Sequence, residues 1–461
     1  MSTVRIIIYK IVSILTVNIV IFNATFPVFA RNTDTATYSI MSFDTTEKAD
    51  SIAQSIEKHS PDYFIIHSQK NESLSLSSEI SECYSRIPDD NIDKDSNQNI
   101  IYYKKSYEPI KSKCIWLSGT PDKKSKTNEA KDYQTCTYAL FSHNETDKKI
   151  AIFASQTDDN EKAAKDQAMY LFSRFQCYRD YYPTLLSVKC KDTESLRLFD
   201  DPGLSNHLSE QSGVSIYASA SVKMLSDNDG VIRFSTDKPS KQLTDSGKYI
   251  ALTFDDGPTR LEGRTNKILD VIERYNVKAT FFVLGERITL ENPAERKLLV
   301  RERRLGCEIG NHTYNHDSYV KLKDTKSIEK QITQTDDLIE EICGASYATL
   351  LRPPGGIVNN KSDLDRPIIN WSVDTLDWSS KQTVKGIIDT VIRDAGNGKV
   401  VLMHDINTKS SAALDEIIKY LLSNNYNIVT VSELMEFCDV DMWAGYIYTD
   451  ANHEKRTTFC N

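Results

Sequence analysis

Two adjacent carboxylates end an apolar run in the segment "YIALTFDDGPT", residues 249–259. The run before Asp255 and Asp256 is typical of a buried strand, and Gly257 and Pro258 are typical of a turn. Paired like charges at a strand end repel each other unless a cation or hydrogen-bond donors compensate them. The pair therefore indicates acid–base chemistry or metal binding, although a plain Asp-Gly turn has the same letters.

The segment "GNHTYNH" supplies two candidate metal ligands, His312 and His316, four residues apart. This spacing brings two imidazoles to one side of a helical turn or a tight loop. Two histidines and one carboxylate leave coordination positions open, as a catalytic divalent ion requires. An isolated pair at this spacing is more often a surface feature, but only eight histidines occur in the chain.

Three further segments combine titratable side chains with aromatic residues or glycine. They are "LRPPGG" with Arg352 and Gly355, "WSVDTLDW" with Trp371, Asp374, Asp377 and Trp378, and "VVLMHD" with His404. An arginine can fix a carboxylate, and a histidine can transfer protons near neutral pH. The alternative for "VVLMHD" is a histidine that is buried in the core with its hydrogen bonds made. Five such motifs in one half of the chain indicate a single site.

The elements that must position these groups alternate between strands and helices. The apolar segments "YIALTF" and "ATFFVLG" predict strands, and apolar periodicity predicts helices around residues 265–275 and 294–305. Repeated strand-then-helix units favour a parallel sheet or barrel, in which active groups lie at the carboxyl ends of the strands. Asp255, Asp256 and His404 fall at such ends.

The ordered motifs "TFDDGP", "HTYNH", "RPPG", "DTLDW" and "LMHD" resemble those of the polysaccharide deacetylase family, carbohydrate esterase family four. The resemblance covers about residues 248–440 and implies a distorted (β/α) barrel. It also implies that the protein removes acetyl groups from N-acetylated or O-acetylated sugars. One divalent metal ion would assist, commonly Zn²⁺, with Co²⁺, Mn²⁺ or Ni²⁺ as alternatives.

Matched motif by motif, the resemblance implies which residues perform the chemistry. Asp256, His312 and His316 are the implied metal ligands, Asp255 is the implied general base and His404 the implied general acid. Hydrolysis of an amide or ester needs a nucleophilic water, neutralisation of charge on the carbonyl oxygen and a proton for the leaving group. The metal ion and these side chains would supply all three.

The resemblance also implies supporting roles around this centre. Arg352 would pair with the base, and Asp377 would orient the acid and raise its pKa. Gly355 would donate its backbone N–H to the developing oxyanion, while Trp378 and Leu402 would line the pocket for the acetyl methyl group. Family members usually carry an aromatic residue where this chain has glycine, so the wall of the groove is altered.

The composition is that of a foldable chain with more than one domain, with 39% hydrophobic and 26% charged residues among 461. A net charge of −9 gives no global field to attract phosphate backbones, so nucleic acid is a poor candidate partner. The nine cysteines include no CxxC pair, which argues against a thiolate metal cluster. Their spacing leaves disulfide pairing open.

The amino terminus has the pattern of an export signal. Arg5 and Lys10 precede an apolar stretch, and the stretch closes with "PVFA" before Arg31. We expect residues 1–30 to be a signal peptide cleaved after Ala30, with a retained membrane anchor as the alternative. In either case the bulk of the chain is expected outside the cytoplasm, either secreted or associated with the cell wall or cell surface.

The N-terminal half resembles the endonuclease/exonuclease/phosphatase superfamily over about residues 38–235, which implies a two-sheet α/β sandwich. The catalytic residues of that superfamily are missing from this half. "PDYFIIHSQK" has no metal-binding Glu, "FASQTDD" replaces an Asn-Thr-His run, "LLSVKCK" lacks the Gly-Asp-Phe-Asn ending, and Asn228 stands where the terminal His belongs. Asp158, Asp192 and Asp227 are expected to be surface or turn residues. We predict a catalytically dead scaffold, since no side chains remain to activate water or stabilise a phosphate.

The sequence thus predicts an α/β protein with an endonuclease/exonuclease/phosphatase-type sandwich followed by a polysaccharide deacetylase-type barrel. The predicted domains are residues 31–235 and 249–440, with a polar linker at 236–248 and a tail at 441–461. The predicted function is a secreted, metal-dependent deacetylase acting on N-acetylglucosamine residues of peptidoglycan or another extracellular glycan. A non-catalytic glycan-binding surface protein and an acetylxylan esterase are the alternatives.

Overall fold

The computed structural model describes most of the chain beyond residue 35. The described residues are 36–45, 49–68, 76–87, 97–119, 121–122, 124, 126, 129–146, 148–191, 196, 199, 205–211, 214–317, 325–343, 349–357 and 364–451. The predicted signal at 1–30, Asp192 and residues 452–461 of the predicted tail lie outside them. Among the described residues, no helix has both the length and the hydropathy to cross a membrane.

The described part of the N-terminal half forms two six-stranded sheets. Its strands are β1 (Ala36–Asp44), β2 (Tyr63–Ser68), β3 (Tyr84–Ile87), β4 (Gln98–Lys104), β5 (Tyr107–Trp116), β6 (Thr135–His143), β7 (Lys149–Gln156), β8 (Thr184–Lys189), β9 (Ser205–Gln211), β10 (Val214–Ser219), β11 (Val222–Asn228) and β12 (Val231–Thr236). The first sheet has the order β11-β12-β1-β2-β4-β3, and the second has the order β5-β6-β7-β8-β10-β9.

The two sheets pack face to face, and helices cover their outer faces. Strand β2 shows why, because successive side chains of a strand point to opposite faces. Tyr63 and Ile65 join the core between the sheets, whereas Phe64 and Ile66 pack under helices α1 (Ala49–His59) and α2 (Ser78–Cys83). Helix α3 (Glu161–Arg179) covers the second sheet. This is an α/β sandwich, and its assignment to the endonuclease/exonuclease/phosphatase type stays a prediction.

The C-terminal half alternates strands with helices, which confirms the predicted α/β fold. Its described strands are β13 (Tyr249–Asp255), β14 (Thr280–Val283), β15 (Glu308–Asn311), β16 (Ile368–Ile369), β17 (Val373–Asp374), β18 (Lys399–His404), β19 (Asn427–Val429) and β20 (Ile447–Tyr448). Its described helices are α4 (Arg264–Tyr275), α5 (Pro293–Arg304), α6 (Thr325–Cys343), α7 (Val384–Asp394), α8 (Thr408–Ser423) and α9 (Val431–Phe437). Helices α4 and α5 lie within one residue of the ranges that periodicity predicts.

The strands of this half form an irregular ring in which neighbours run parallel. The order β15-β14-β13-β18-β17 is continued beyond β15 by Leu351, which bridges Asn311 on one side and Ile368 of β16 on the other. Residues 370–372 connect β16 directly to β17 and so close the ring. Because the strands share one direction, their carboxyl ends meet at one rim, where all the predicted functional residues except Leu402 are found.

The apolar core of the ring lies between its strands and the surrounding helices. Helix α4 shows the pattern that buries it, since Ile268, Leu269 and Ile272 recur on one face and are almost fully buried. Helix α9 begins with a capping box in which Thr430 and Glu433 exchange side-chain and backbone hydrogen bonds. That cap fixes where α9 starts, beside the strand that carries Asp255.

The two halves are joined through buried charges as well as through the linker. Between Thr236 and Tyr249 all residues are described, and none lies in a helix or strand. Glu436 of α9, whose side chain is fully buried, accepts hydrogen bonds from the hydroxyls of Tyr138 at 3.0 Å and Tyr178 at 2.7 Å. Its carboxylate also lies 2.5 Å from Nη1 of Arg174 and 2.8 Å from Nζ of Lys111.

Residues 441–451, which the sequence analysis places in a tail, pack against both halves. Asp441 lies 2.8 Å from Nη2 of Arg174 and 2.7 Å from Nζ of Lys113. Strand β20 pairs in parallel with β16, and Trp443 is buried. This part of the chain therefore belongs to the folded body.

Candidate metal and acid–base site

Asp255 ends strand β13 and is clamped by a buried arginine. Nη1 of Arg352 donates to Oδ1 of Asp255 at 2.7 Å and to Oγ1 of Thr253 at 2.7 Å. The other guanidinium nitrogens donate to the backbone oxygens of Ile369 at 2.9 Å and Asn370 at 3.0 Å. Because Arg352 is fully buried and has a partner on each side, it fixes the Asp255 carboxylate in one orientation.

The three predicted metal ligands meet at the same rim. Oδ1 of Asp256 lies 3.4 Å from Nε2 of His312 and 3.4 Å from Nε2 of His316. Nδ1 of His312 lies 2.7 Å from the backbone oxygen of Arg352, which makes Nδ1 the donor and leaves the lone pair of Nε2 for a ligand. One ligand atom from each of the three side chains lies within 4.8 Å of the others.

These residues fit a divalent metal ion of the zinc class. Oδ1 of Asp256 is buried and finds no hydrogen-bond partner among the described residues, although a buried carboxylate oxygen normally has one. Burial alone would raise the pKa of Asp256, but the adjacent histidines, His312 foremost, lower it to about 2. The carboxylate is therefore ionised, and two imidazole nitrogens beside it complete a typical donor set for zinc.

The backbone at this centre is held in a conformation that side chains disfavour. Asp256 has a φ of 73°, Thr313 of 72° and His316 of 62°. Each such residue costs about 1–3 kcal/mol, and the conformation persists only where the surrounding structure enforces it. Three such residues within one centre indicate that the fold tolerates an energetic cost in order to orient the side chains of this site.

His404 and Asp377 form a second unit, directly beside Asp255. His404 ends strand β18, and it is the register partner of Asp255 on the neighbouring strand. Oδ1 of Asp377 accepts from Nδ1 of His404 at 2.7 Å, and Oδ2 accepts from the His404 backbone N–H at 2.7 Å. Burial would lower the pKa of His404, but the bond to Asp377, followed by the charge of Asp255, raises it to about 9.

The remaining predicted residues lie at or below the rim, and their roles stay predictions. Gly355 has a φ of 67°, and a Cβ added there would meet nothing within 4 Å, so open space lies in front of this turn. Trp378, predicted to line the pocket for the acetyl methyl group, is 62% exposed. Leu402 is buried inside strand β18, one strand position away from Met403 and two from His404.

The strand ends of the N-terminal sandwich hold a different kind of polar cluster. Asp44, at the end of β1, lies 2.5 Å from Nζ of Lys189, so an ammonium group compensates this carboxylate. His67 is fully buried between Asn99 and Ser187, and burial lowers its pKa to about 4. Among the described residues, the only cluster of three or more potential metal ligands is Asp256, His312 and His316.

Asp158 and Asp227, which the sequence places at the surface or in turns, are described in the structure and are bound by local partners. Asp158 is buried rather than on the surface, and its carboxylate caps the backbone N–H groups of Lys131, Asp132 and Asn160. Oδ2 of Asp227 accepts from the hydroxyl of Ser209 at 2.6 Å. Both carboxylates thus have structural partners.

Comparisons with known proteins converge on the C-terminal half. The family model for polysaccharide deacetylase matches residues 242–366. A peptidoglycan-N-acetylmuramic acid deacetylase of Bacillus subtilis is 42% identical over 201 residues, which are 43% of this chain and 41% of the relative. A peptidoglycan-N-acetylglucosamine deacetylase of Bacillus cereus is 34% identical over 206 residues, which are 42% of this chain and 92% of the relative.

A solved structure of a peptidoglycan deacetylase from Bacillus subtilis is 41% identical to this chain. The structural match covers 43% of this chain and 94% of the solved chain, with a TM-score of 0.40. The match to the peptidoglycan-N-acetylmuramic acid deacetylase of Bacillus subtilis spans less than half of that relative's full length.

Proposed function

Because the chain belongs to the polysaccharide deacetylase family, we propose that its C-terminal half is a metal-dependent deacetylase of an extracellular glycan. The observation that carries the proposal is the pairing of Asp255 with His404 on adjacent strands, beside the trio Asp256, His312 and His316. A base, an acid and a cation site then face one reacting group. Both relatives described above are named for peptidoglycan, one for its N-acetylmuramic acid and one for its N-acetylglucosamine, and we propose N-acetylglucosamine residues of peptidoglycan as the substrate.

In the proposed mechanism, Asp255 is the base and His404 is the acid. Asp256, His312 and His316 would hold a divalent ion, which when bound would supply Lewis-acid activation of water and of the acetyl carbonyl. Asp255 takes a proton from the attacking water, whose oxygen forms the new bond to the carbonyl carbon. His404 gives its proton to the departing sugar nitrogen as the C–N bond breaks, so that acetate and a free amine leave. The N–H of Gly355 would donate to the oxyanion that forms between these events.

The N-terminal half is proposed to be non-catalytic and to position the deacetylase. The Lys189 ammonium beside Asp44 and the local partners of Asp158 support this role, because these two carboxylates are already bound by other groups of the protein. Export through residues 1–30 is part of the proposal, since a wall glycan lies outside the cytoplasm.

The decisive experiment is acetate release from a panel of acetylated glycans. We expect release from peptidoglycan or N-acetylglucosamine oligomers in the presence of Zn²⁺, loss after dialysis against a chelator, and recovery when Zn²⁺ is restored. Faster release from acetylated xylan would favour the esterase alternative. Binding of these glycans without any acetate release, or release that survives chelation, would contradict the proposal.

Replacing Asp377 with Asn should move the alkaline limb of the pH–rate profile to lower pH. A general acid must be protonated, so activity is present below the pKa of His404 and is lost as the pH rises through it. Asp377 is the foremost group raising that pKa, so its neutral replacement should make the loss begin earlier. The measurement is kcat/KM across neutral and alkaline pH, with both proteins loaded with Zn²⁺.

Asp374→Asn is the matched control for this shift. The Asp374 carboxylate, at the end of β17, accepts from the backbone N–H of Leu376 at 2.8 Å, and it has no bond to His404 among the described contacts. Its replacement should leave the alkaline limb where it is in the wild type. Equal limbs in Asp377→Asn and the wild type would remove His404 from the role of acid.

A further inference from the structure

Asp405 is a fully buried carboxylate with no part in the proposed acid–base chemistry, and it lies against the turn that follows β13. A Cβ added to Gly257 would come within 2.1 Å of Oδ2 and 2.2 Å of Oδ1 of Asp405. The main chain at Gly257 therefore packs directly on this carboxylate. Any side chain at position 257 would force the turn and Asp405 apart.

A chain of hydrogen bonds ties the far end of the same turn to Asp405. The backbone N–H of Thr259 donates to Oγ1 of Thr265 at 2.9 Å, and that hydroxyl donates to Oδ2 of Asp405 at 2.6 Å. Thr265 lies in the first turn of α4 and is fully buried. The turn thus rests on Asp405 at Gly257 and is bound to it through Thr265 at Thr259.

This support acts next to the most demanding position of the site. Asp256 immediately precedes Gly257 and has a φ of 73°, a conformation that such a residue keeps only where its surroundings enforce it. If the turn relaxed, Oδ1 of Asp256 would no longer lie 3.4 Å from both His312 and His316. A buried polar group behind the turn can prevent this only if its own position is fixed, and Thr265 fixes it.

We propose that Asp405, held by Thr265, is a positioning residue that keeps the turn Asp256–Thr259 in the conformation required for binding a divalent metal ion. Asp405 acts through the turn, since its own oxygens do not belong to the group formed by Asp256, His312 and His316. The inference rests on the proposed metal site. The proposed role of Asp405, the last residue of "LMHD", is distinct from the proton transfer proposed for His404.

The test measures Zn²⁺ affinity directly, by calorimetric titration of the full chain after removal of metal. Asp405→Ala and Thr265→Val should each weaken the Kd for Zn²⁺ by about 10-fold or more, in the range found when partners behind metal ligands are lost. Thr265→Ser keeps the hydroxyl and should retain the wild-type Kd. The contrast between Val and Ser at position 265 decides the question even if Asp405→Ala does not fold.

Glu302→Gln is the matched control, because Glu302 is another fully buried carboxyl and neither of its oxygens has a hydrogen-bond partner among the described residues. It should bind Zn²⁺ as the wild type does. Wild-type affinity in both Asp405→Ala and Thr265→Val, or an equal loss in Glu302→Gln, would overturn the inference and leave the proposed function standing. Failure of the wild type itself to bind a divalent ion would overturn both.

Discussion

Asp255→Asn should lower kcat/KM for acetate release by about 10²–10⁴-fold, the usual contribution of a general base. The amide has nearly the same shape as the carboxylate but cannot take a proton from water. Since Asp255 neighbours the three proposed ligands without belonging to their group, Zn²⁺ binding should persist. Acetate release and Zn²⁺ affinity, measured on the same preparation, separate the two properties.

The same substitution should also destabilise the protein, because it leaves the buried guanidinium of Arg352 without its anionic partner. Removing one member of a buried ion pair typically costs about 3–5 kcal/mol of unfolding free energy. Asp270→Asn, which alters an exposed ion pair with Arg301, is the control for both measurements and should change neither. Wild-type rates of acetate release from a folded Asp255→Asn protein would refute its assignment as the base.

Arg174→Met should be the most damaging single change at the contact between the halves. Arg174 lies 2.5 Å from Oε2 of Glu436 and 2.8 Å from Oδ1 of Asp441, and both carboxylates are almost fully buried. Burial alone would raise the pKa of Glu436, but Arg174 and Lys111 lower it to about 2. Without Arg174 these charges lose their main compensation, and we expect a loss of about 3–5 kcal/mol in unfolding free energy.

Urea unfolding of the full chain measures this loss, and Lys165→Met provides the control. Lys165 also pairs across the two halves, with Glu340 at 3.4 Å, but both side chains are largely exposed. Exposed pairs contribute little, so the stability of Lys165→Met should match that of the wild type. Equal stabilities of Arg174→Met and Lys165→Met would show that the buried network does not hold the halves together.

The rim of the C-terminal half is the part of the molecule that sequence predicts best. Apolar runs that end in Asp255 and His404 indicate strands with polar ends, and parallel strands bring such ends together. The spacing of His312 and His316 then suggests shared coordination. Local patterns suffice here because each functional group lies within a few residues of a strand end.

Other features have no local pattern. The left-handed backbone of Asp256 is invisible in a sequence, because aspartate adopts ordinary conformations far more often. Asp405 follows His404 in "LMHD", but its proposed role becomes evident only from the turn that packs on it in the structure. Its neighbour in space, Thr265, is separated from it by 140 positions along the chain.

The contact between the halves is missed for a related reason. Glu436, Arg174 and Asp441 are charged, and charged residues normally indicate a solvated surface. Their burial depends on matching charges far away along the chain, as between Arg174 and Glu436, which are 262 positions apart. Residues 441–451 accordingly look like a tail in the sequence, although β20 pairs within the ring.

The tyrosines and the arginine that surround Glu436 link the N-terminal half to the strand that carries Asp255. Helix α9, which they hold, also packs Phe437 against Tyr249 at the start of the strand that ends in Asp255. Substitutions at Tyr138, Tyr178 or Arg174 should therefore disturb the strand that carries Asp255, although these three residues lie in the other half of the chain. Natural selection can preserve them for the sake of the C-terminal half alone.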